Sequence, residues 1–248
     1  MCTLSWLYRG NNHYEVYFNR DEQRSRLPAL EPQSAVIDEV HCVMPIDPVG
    51  GGSWISTNEY GVTVCLLNFY QGKVPSGALT SRGLIIRNLA SSCSSQTVDS
   101  RLMEMDLHTF APFVVVSFDT RRTANETVLW TWDGSCLSRS HAVAPIVSAA
   151  MHFDAAYQYR RDLFNELVTR VADDEIGRLF HQTYDENYPH LSPLMTRNDA
   201  RTVSFTSVVV SSNKQEMIYQ SFDNQRKVDF HTSLSCLKRC TVEQGVLK

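Results

Sequence analysis

Along the first third of the chain, apolar and polar positions alternate in short runs broken by turn residues. Thr3–Tyr8 and His13–Asn19 read as strands joined through Gly10-Asn11-Asn12, a hairpin turn. Ser53–Ser56 and Val62–Asn68 form a second pair across Asn58-Glu59-Tyr60-Gly61, and the Arg- and Pro-rich stretch Gln23–Pro32 reads as a loop. The period then lengthens. Leu79–Ser91 and Thr97–Met105 carry apolar residues at helical spacing, with Thr80 or Ser81 as the cap of the first. Phe113–Phe118 and Thr127–Thr131 return to strand and close at Asp133-Gly134. Ala155–Val171 is the clearest amphipathic helix, with Tyr159, Leu163, Leu167 and Val171 as its stripe, and Asp174–Thr183 follows as another. A late hairpin joins Val203–Ser211 to Met217–Phe222 across Asn213-Lys214. Strands that arrive as hairpins, without βαβ alternation, predict an α+β fold with mainly antiparallel sheets.

Composition narrows the class. With 248 residues, 43% of them hydrophobic, the chain is expected to form one domain over 1–248 around a sizeable core. Its net charge of -4 and lack of a Lys/Arg-rich run argue against a nucleic-acid partner. The longest apolar runs, Val62–Leu67 and Phe113–Phe118, are strand-length, so no integral membrane segment is expected. The start Met1-Cys2-Thr3-Leu4-Ser5 lacks the basic and apolar regions of a signal peptide, and seven scattered cysteines form an odd set. Both features predict a reduced, cytoplasmic protein. Cys236 and Cys240 lie four apart without a second pair at zinc spacing, and the histidines form no ligand motif, so no metal is expected. No Gly-x-Ser-x-Gly elbow is present, which argues against a serine α/β-hydrolase.

The first hairpin gathers the chemistry. A two-residue Asn11-Asn12 loop sets Cys2 opposite Asp21, whereas a Gly10-Asn11 loop sets it opposite Asn19. Either register brings a thiol, a guanidinium and a carboxylate to one sheet end. Once Met1 is removed, the α-amine of Cys2 can take the thiol proton, and Arg20 favours thiolate. Asp21 can hold the α-ammonium. The second hairpin sets Asn68 near Gly50-Gly51-Gly52, where its amide can donate to an oxyanion.

Asn19-Arg20-Asp21-Glu22 resembles the signature of the NRDE family, the transport and Golgi organization protein family. Cys2-Thr3, Arg26, Gly52-Ser53-Trp54, Gly61, Leu67-Asn68, Ser81-Arg82-Gly83, Trp132-Asp133-Gly134 and Arg201-Thr202-Val203-Ser204 follow the family pattern in order. That family in turn resembles the cysteine N-terminal-nucleophile (Ntn) hydrolases, such as bile-salt and penicillin V acylases. The resemblance implies a four-layer αββα sandwich of two mainly antiparallel sheets. It also implies Cys2, Arg20, Asp21 and Asn68 as the catalytic set, with Asn19, Trp54 and Arg201 binding substrate. The expected reaction is cleavage of a non-peptide amide bond through a Cys2 thioester, with no cofactor and a small-molecule amide as partner. The alternatives are a non-catalytic carrier or chaperone of an apolar ligand (haem or acyl lipid) and a trafficking protein on the same fold.

Overall fold

A computed structural model of the chain describes residues 2–10, 12–122, 126–212, 215–222 and 227–234, the last stretch as backbone. Asn213-Lys214 and the Cys236–Cys240 pair lie outside the described residues.

Two antiparallel sheets form the centre. One has six strands in the order β10-β1-β2-β11-β12-β13. They are β1 (Cys2–Tyr8), β2 (Tyr14–Gln23), β10 (Ile146–Ser148), β11 (Ala200–Val210), β12 (Gln215–Phe222) and β13 (Lys227–Leu234). The other runs β3 to β9 in chain order. Its strands are β3 (Leu30–Ile37), β4 (Val40–Ile46), β5 (Ile55–Asn58), β6 (Val62–Asn68), β7 (Phe113–Asp119), β8 (Val128–Trp132) and β9 (Leu137–His141).

The inner faces of the sheets meet in one core that includes Leu4, Trp6, Phe18, Trp54, Ile55, Leu67, Val116 and Val208. On the far side of the seven-stranded sheet, Val62, Val64, Leu66, Phe113 and Val115 pack against α1 (Gly83–Leu89) and α2 (Ser95–Glu104). On the far side of the six-stranded sheet lie α3 (Phe153–Arg170) and α4 (Asp173–Gln182), which contact β10, β1 and β2. The layers are therefore αββα. This arrangement explains the runs Val62–Leu67 and Phe113–Phe118: their strands are buried on both faces, so both sets of alternating positions are mostly apolar, with Thr63 and Ser117 as buried polar residues among them.

Several sequence expectations shift. The 23–32 segment is not all loop, because β3 begins at Leu30 and pairs with β4. Their turn, Asp38-Glu39, holds φ of 47° and 65° on two non-glycine residues. The strands β9 and β10 were not predicted either. The first helix starts at Gly83 with Arg82 in the cap position and no side-chain cap bond, so neither Thr80 nor Ser81 caps it. In α3 the buried stripe is Ala156, Arg160 and Phe164, one position beyond Tyr159 and Leu163, which are only partly covered.

Candidate functional site

The first hairpin adopts neither two-residue register. Arg9 bonds His13 across a three-residue loop, and the strands pair Cys2 with Arg20 and Thr3 with Asn19. Gly10 and Asn12 both take positive φ, 96° and 59°, which the longer loop needs. Cys2 thus stands directly opposite Arg20, between the two expected partners, and its other neighbour is Ser148 of β10.

Strand alternation sorts the motif onto two faces. Cys2 and Arg20 point to the inter-sheet side with Leu4 and Phe18, while Thr3, Asn19 and Asp21 point to the helix layer. Opposite this end, β11 carries a bulge at Val203, so that Thr202 pairs with Asp21 and Ser204 with Arg20.

Cys2 and Arg20 line a cleft of about 700 Å³ together with Trp54, Asn68, Tyr70 and Arg82. The Arg20 guanidinium lies 4.4 Å from the centre of the Trp54 ring and bonds Glu22 at 3.1 Å. A buried cation stacked on an aromatic face is held in one orientation. Arg26 bridges from Glu22 to Asp47. Asp47 anchors the triple-glycine turn, its amide bonding the Gly52 carbonyl at 2.8 Å and its carbonyl the Gly51 amide at 2.8 Å. A Cβ on Gly52 would lie 2.2 Å from the Gly83 carbonyl carbon, so close backbone approach explains this glycine; Ser53 donates to the Gly83 carbonyl at 3.0 Å.

Asn68 ends β6 at the cleft's rim. Its Nδ2 donates to the Tyr70 hydroxyl at 2.9 Å, and its carbonyl accepts from Ser148 Oγ at 2.5 Å. Behind that contact lies a smaller apolar pocket of about 260 Å³, walled by Leu67, Val114, Leu129, Ile146 and Phe153.

Asp21 is buried beneath this floor. Thr202 donates to its Oδ1 at 2.6 Å, while Oδ2 has no hydrogen-bond partner and lies 3.9 Å from the equally buried guanidinium of Arg160. Burial pushes the Asp21 carboxyl above its usual range, and Arg160 works against that shift. Burial also pushes the Cys2 thiol up, reinforced by the Asp21 charge and opposed by the Asp21 backbone amide and Arg20.

The remaining expected residues separate. Trp54 forms the cleft wall. Asn19 is fully buried away from the cleft, its Nδ2 donating at 2.8 Å to the carbonyls of His181 and Pro193, so it ties the helix layer to β2. Arg201 lines an adjoining chamber of about 560 Å³ that shares Arg20, Glu22 and Arg26 with the cleft. Sequence reasoning gave no role to Tyr70, Arg82 or Arg160. Arg82 had a signal in Ser81-Arg82-Gly83; Arg160 had none, being one arginine among the polar residues of an amphipathic helix.

Among the described residues, no helix is long and apolar enough to cross a membrane, and no His, Cys, Asp and Glu group could hold a metal ion. The fold is that of the Ntn hydrolases. A penicillin V acylase from Agrobacterium tumefaciens superposes with a TM-score of 0.56 at 10% identity, over 94% of this chain and 86% of its own. An N-acylethanolamine-hydrolyzing acid amidase ortholog from Caenorhabditis elegans gives 0.55 at 12% identity, over 84% and 92%. A conjugated bile acid hydrolase from Clostridium perfringens, in mutant form, gives 0.55 at 10%, over 93% and 92%. No curated protein matches significantly in sequence. A family model described as TANGO2, Transport and Golgi organisation 2, matches residues 1–229.

Proposed function

The chain belongs to the Transport and Golgi organisation 2 family, and on that premise we propose that it is a cysteine Ntn hydrolase cleaving a non-peptide amide bond. The observation that carries this reading is the placement of Cys2. It heads a strand at the floor of a large cleft, opposite Arg20, with a buried Asp21 oxygen that accepts no hydrogen bond on the sheet's other face.

Removal of Met1 would free an α-amine on Cys2 for that Asp21 oxygen to hold. The amine takes the thiol proton as the sulfur bonds to the substrate carbonyl carbon. The Asn68 amide and a backbone N–H receive the oxyanion. Collapse breaks the C–N bond, the leaving amine departs with the transferred proton, and a Cys2 thioester remains. Water then attacks the thioester, releasing the acid and returning the proton to sulfur. Arg20 favours thiolate by charge, which offsets part of the burial that disfavours it. A cytoplasmic, reducing setting fits this chemistry and the five free cysteines among the described residues.

The experiment is an intact mass before and after a thiol-selective acylating probe. Loss of one methionine mass, with one fast label that Cys2→Ala abolishes, supports the reading. Retained Met1 in protein from a processing-competent host, with Cys2 no more reactive than the other thiols, removes the self-base mechanism.

A second reading is a non-catalytic carrier of an apolar ligand. What favours it is the apolar pocket behind Asn68 and a Cys2 thiol that burial holds protonated. A stoichiometric complex that survives Cys2→Ala without turnover would select it.

A further inference from the structure

Arg160 is the one arginine in the described chain placed wholly inside the helix layer. Its side chain is fully buried, and every nitrogen has a partner. Nε donates to the Leu191 carbonyl at 2.9 Å, Nη2 to the Ser192 carbonyl at 2.8 Å and Nη1 to Thr3 Oγ1 at 2.5 Å. The carboxylate it meets is Asp21, 3.9 Å away.

A lone buried guanidinium is prohibitively unfavourable, so the pair must be charged together or be remodelled together. Two of the Arg160 nitrogens serve the 191–192 carbonyls, but the stripe of α3 on which it sits is otherwise apolar. Ala156 and Phe164, one turn to either side on the same stripe, pack as apolar residues. Thr3 and Asp21 are the helix-side neighbours of Cys2 and Arg20, so Arg160 grips both strands immediately beneath the thiol.

We propose that Arg160 is a positioning residue, whose buried charge keeps the Asp21 carboxylate ionised and fixed under Cys2 so that Asp21 can hold the α-amine. The link to the amine rests on the Ntn reading above; the charge pairing does not. The groups around the Asp21 carboxylate are Thr202 from β11, Arg160 from α3 and Arg197 from the loop before β11, with the Cys2 thiol on the sheet's other face bonded to the Asp21 backbone amide. Arg20 and Glu22 flank it on β2, and neutral His181 from α4 faces Arg160. Arg197 also bonds the exposed Asp199 at 2.9 Å, which leaves Arg160 as the fully buried cation at the carboxylate.

The test compares full-length Arg160→Gln, Arg160→Lys, Asp21→Asn and the Arg160→Gln/Asp21→Asn double variant. Thermal midpoints are read from acid to neutral pH, alongside the rate at which an activated acetate ester acylates Cys2. Arg160→Gln should melt about 10 °C below wild type at neutral pH. The gap should narrow toward acid, because protonation removes the bare carboxylate. Adding Asp21→Asn should recover most of it. Arg160→Lys, which keeps the charge but loses the fork, should fall between, and acylation should be about tenfold or more slower in Arg160→Gln than in Arg160→Lys.

A gap that is constant with pH, and additive in the double variant, overturns the proposal and leaves Arg160 as a prop for residues 191–192. Should Arg160→Gln not fold, recovery of folding in the double variant supports the pairing, and failure to recover overturns it. Wild-type protein that is not acylated while the cycle stays non-additive removes the Cys2 reaction and keeps the pair.

Discussion

Ser148 donates from its hydroxyl to the main-chain carbonyl of Asn68 at 2.5 Å, joining one sheet to the other beside the residue paired with Cys2. The sheets also meet through the apolar core and through hydrogen bonds farther from Cys2, from Tyr14 to Gly61 and Thr63 and from Gln215 to Thr57 and Asn58. The Ser148 bond sets the position of Asn68 relative to Cys2.

Ser148→Ala should therefore cost about 1 kcal/mol of stability, the worth of one largely buried hydrogen bond. It should slow Cys2 acylation by more than that cost implies, since the Asn68 donor loses its anchor. Urea unfolding and a single-turnover acylation rate on the same samples check this. A stability loss with an unchanged rate would show that Asn68 is held without Ser148.

Arg20 has two attachments, the Trp54 face and Glu22. Arg20→Met keeps much of the stem's packing and removes the charge beside the thiol, so the apparent thiol pKa of Cys2 should rise. At neutral pH the labelling rate should fall about tenfold for each unit of rise. Trp54→Phe keeps the cation and a smaller ring, and should change the rate by less. The pH dependence of alkylation in both variants decides it; equal profiles for wild type and Arg20→Met would end the electrostatic role.

The sheet-forming hairpins were legible because turn residues punctuate alternating runs, and Cys2 beside Arg20-Asp21 followed from strand pairing alone. The register did not, because the turn is one residue longer than the two-residue loops that Asn-rich sequences favour. The β3–β4 hairpin was hidden for a related reason: its turn places Asp38 and Glu39 at positive φ, where Gly or Asn is the usual marker. Its β3 is an exposed edge strand holding Pro32, which reads as loop. Asn19 could be placed at the sheet end but not on a face, since its face depends on the register. Arg160 could not be foreseen at all, because its partner Asp21 lies more than a hundred residues away in sequence.

Gly52 offers a test of the cleft loop. The Cβ of Gly52→Ala would fall 2.2 Å from the Gly83 carbonyl carbon and 2.6 Å from its Cα, and neither backbone atom can swing aside. The loop or the start of α1 must move. A loss of about 1–3 kcal/mol is expected, in the range for overpacking a tight contact. The cleft residues Asp47, Ser53 and Arg82 move with it, so Cys2 acylation should fall as well. Gly51→Ala is the control on space: a Cβ there meets nothing within 4 Å, although its φ of 64° carries a strain cost. Chemical denaturation of both variants tests this, and equal acylation rates would separate the loop from the site.

His181 supplies a prediction in pH. Its ring is fully buried, with Nε2 2.9 Å from Ser5 Oγ, and burial, helped by Arg160, pulls its pKa from 6.5 down to about 3. The folded-state value is depressed, so the stabilising contribution is complete above the unfolded value. It is lost as pH falls from 6.5 towards 3, because only the unfolded chain takes the proton. The slope should approach about 1.4 kcal/mol per pH unit within that window. Asp21 works in the opposite sense: its raised carboxyl favours the folded state at low pH and loses that contribution as pH rises. The absolute slope of the wild type therefore mixes the two, and the informative quantity is its difference from His181→Gln. That variant keeps a polar end for Ser5 and cannot titrate. It should be less stable at pH about 7, where wild-type His181 is neutral and bonded, yet lose less between pH about 7 and about 5. Urea midpoints at those two values give the comparison, and parallel losses in both proteins would mean that His181 takes up its proton without unfolding.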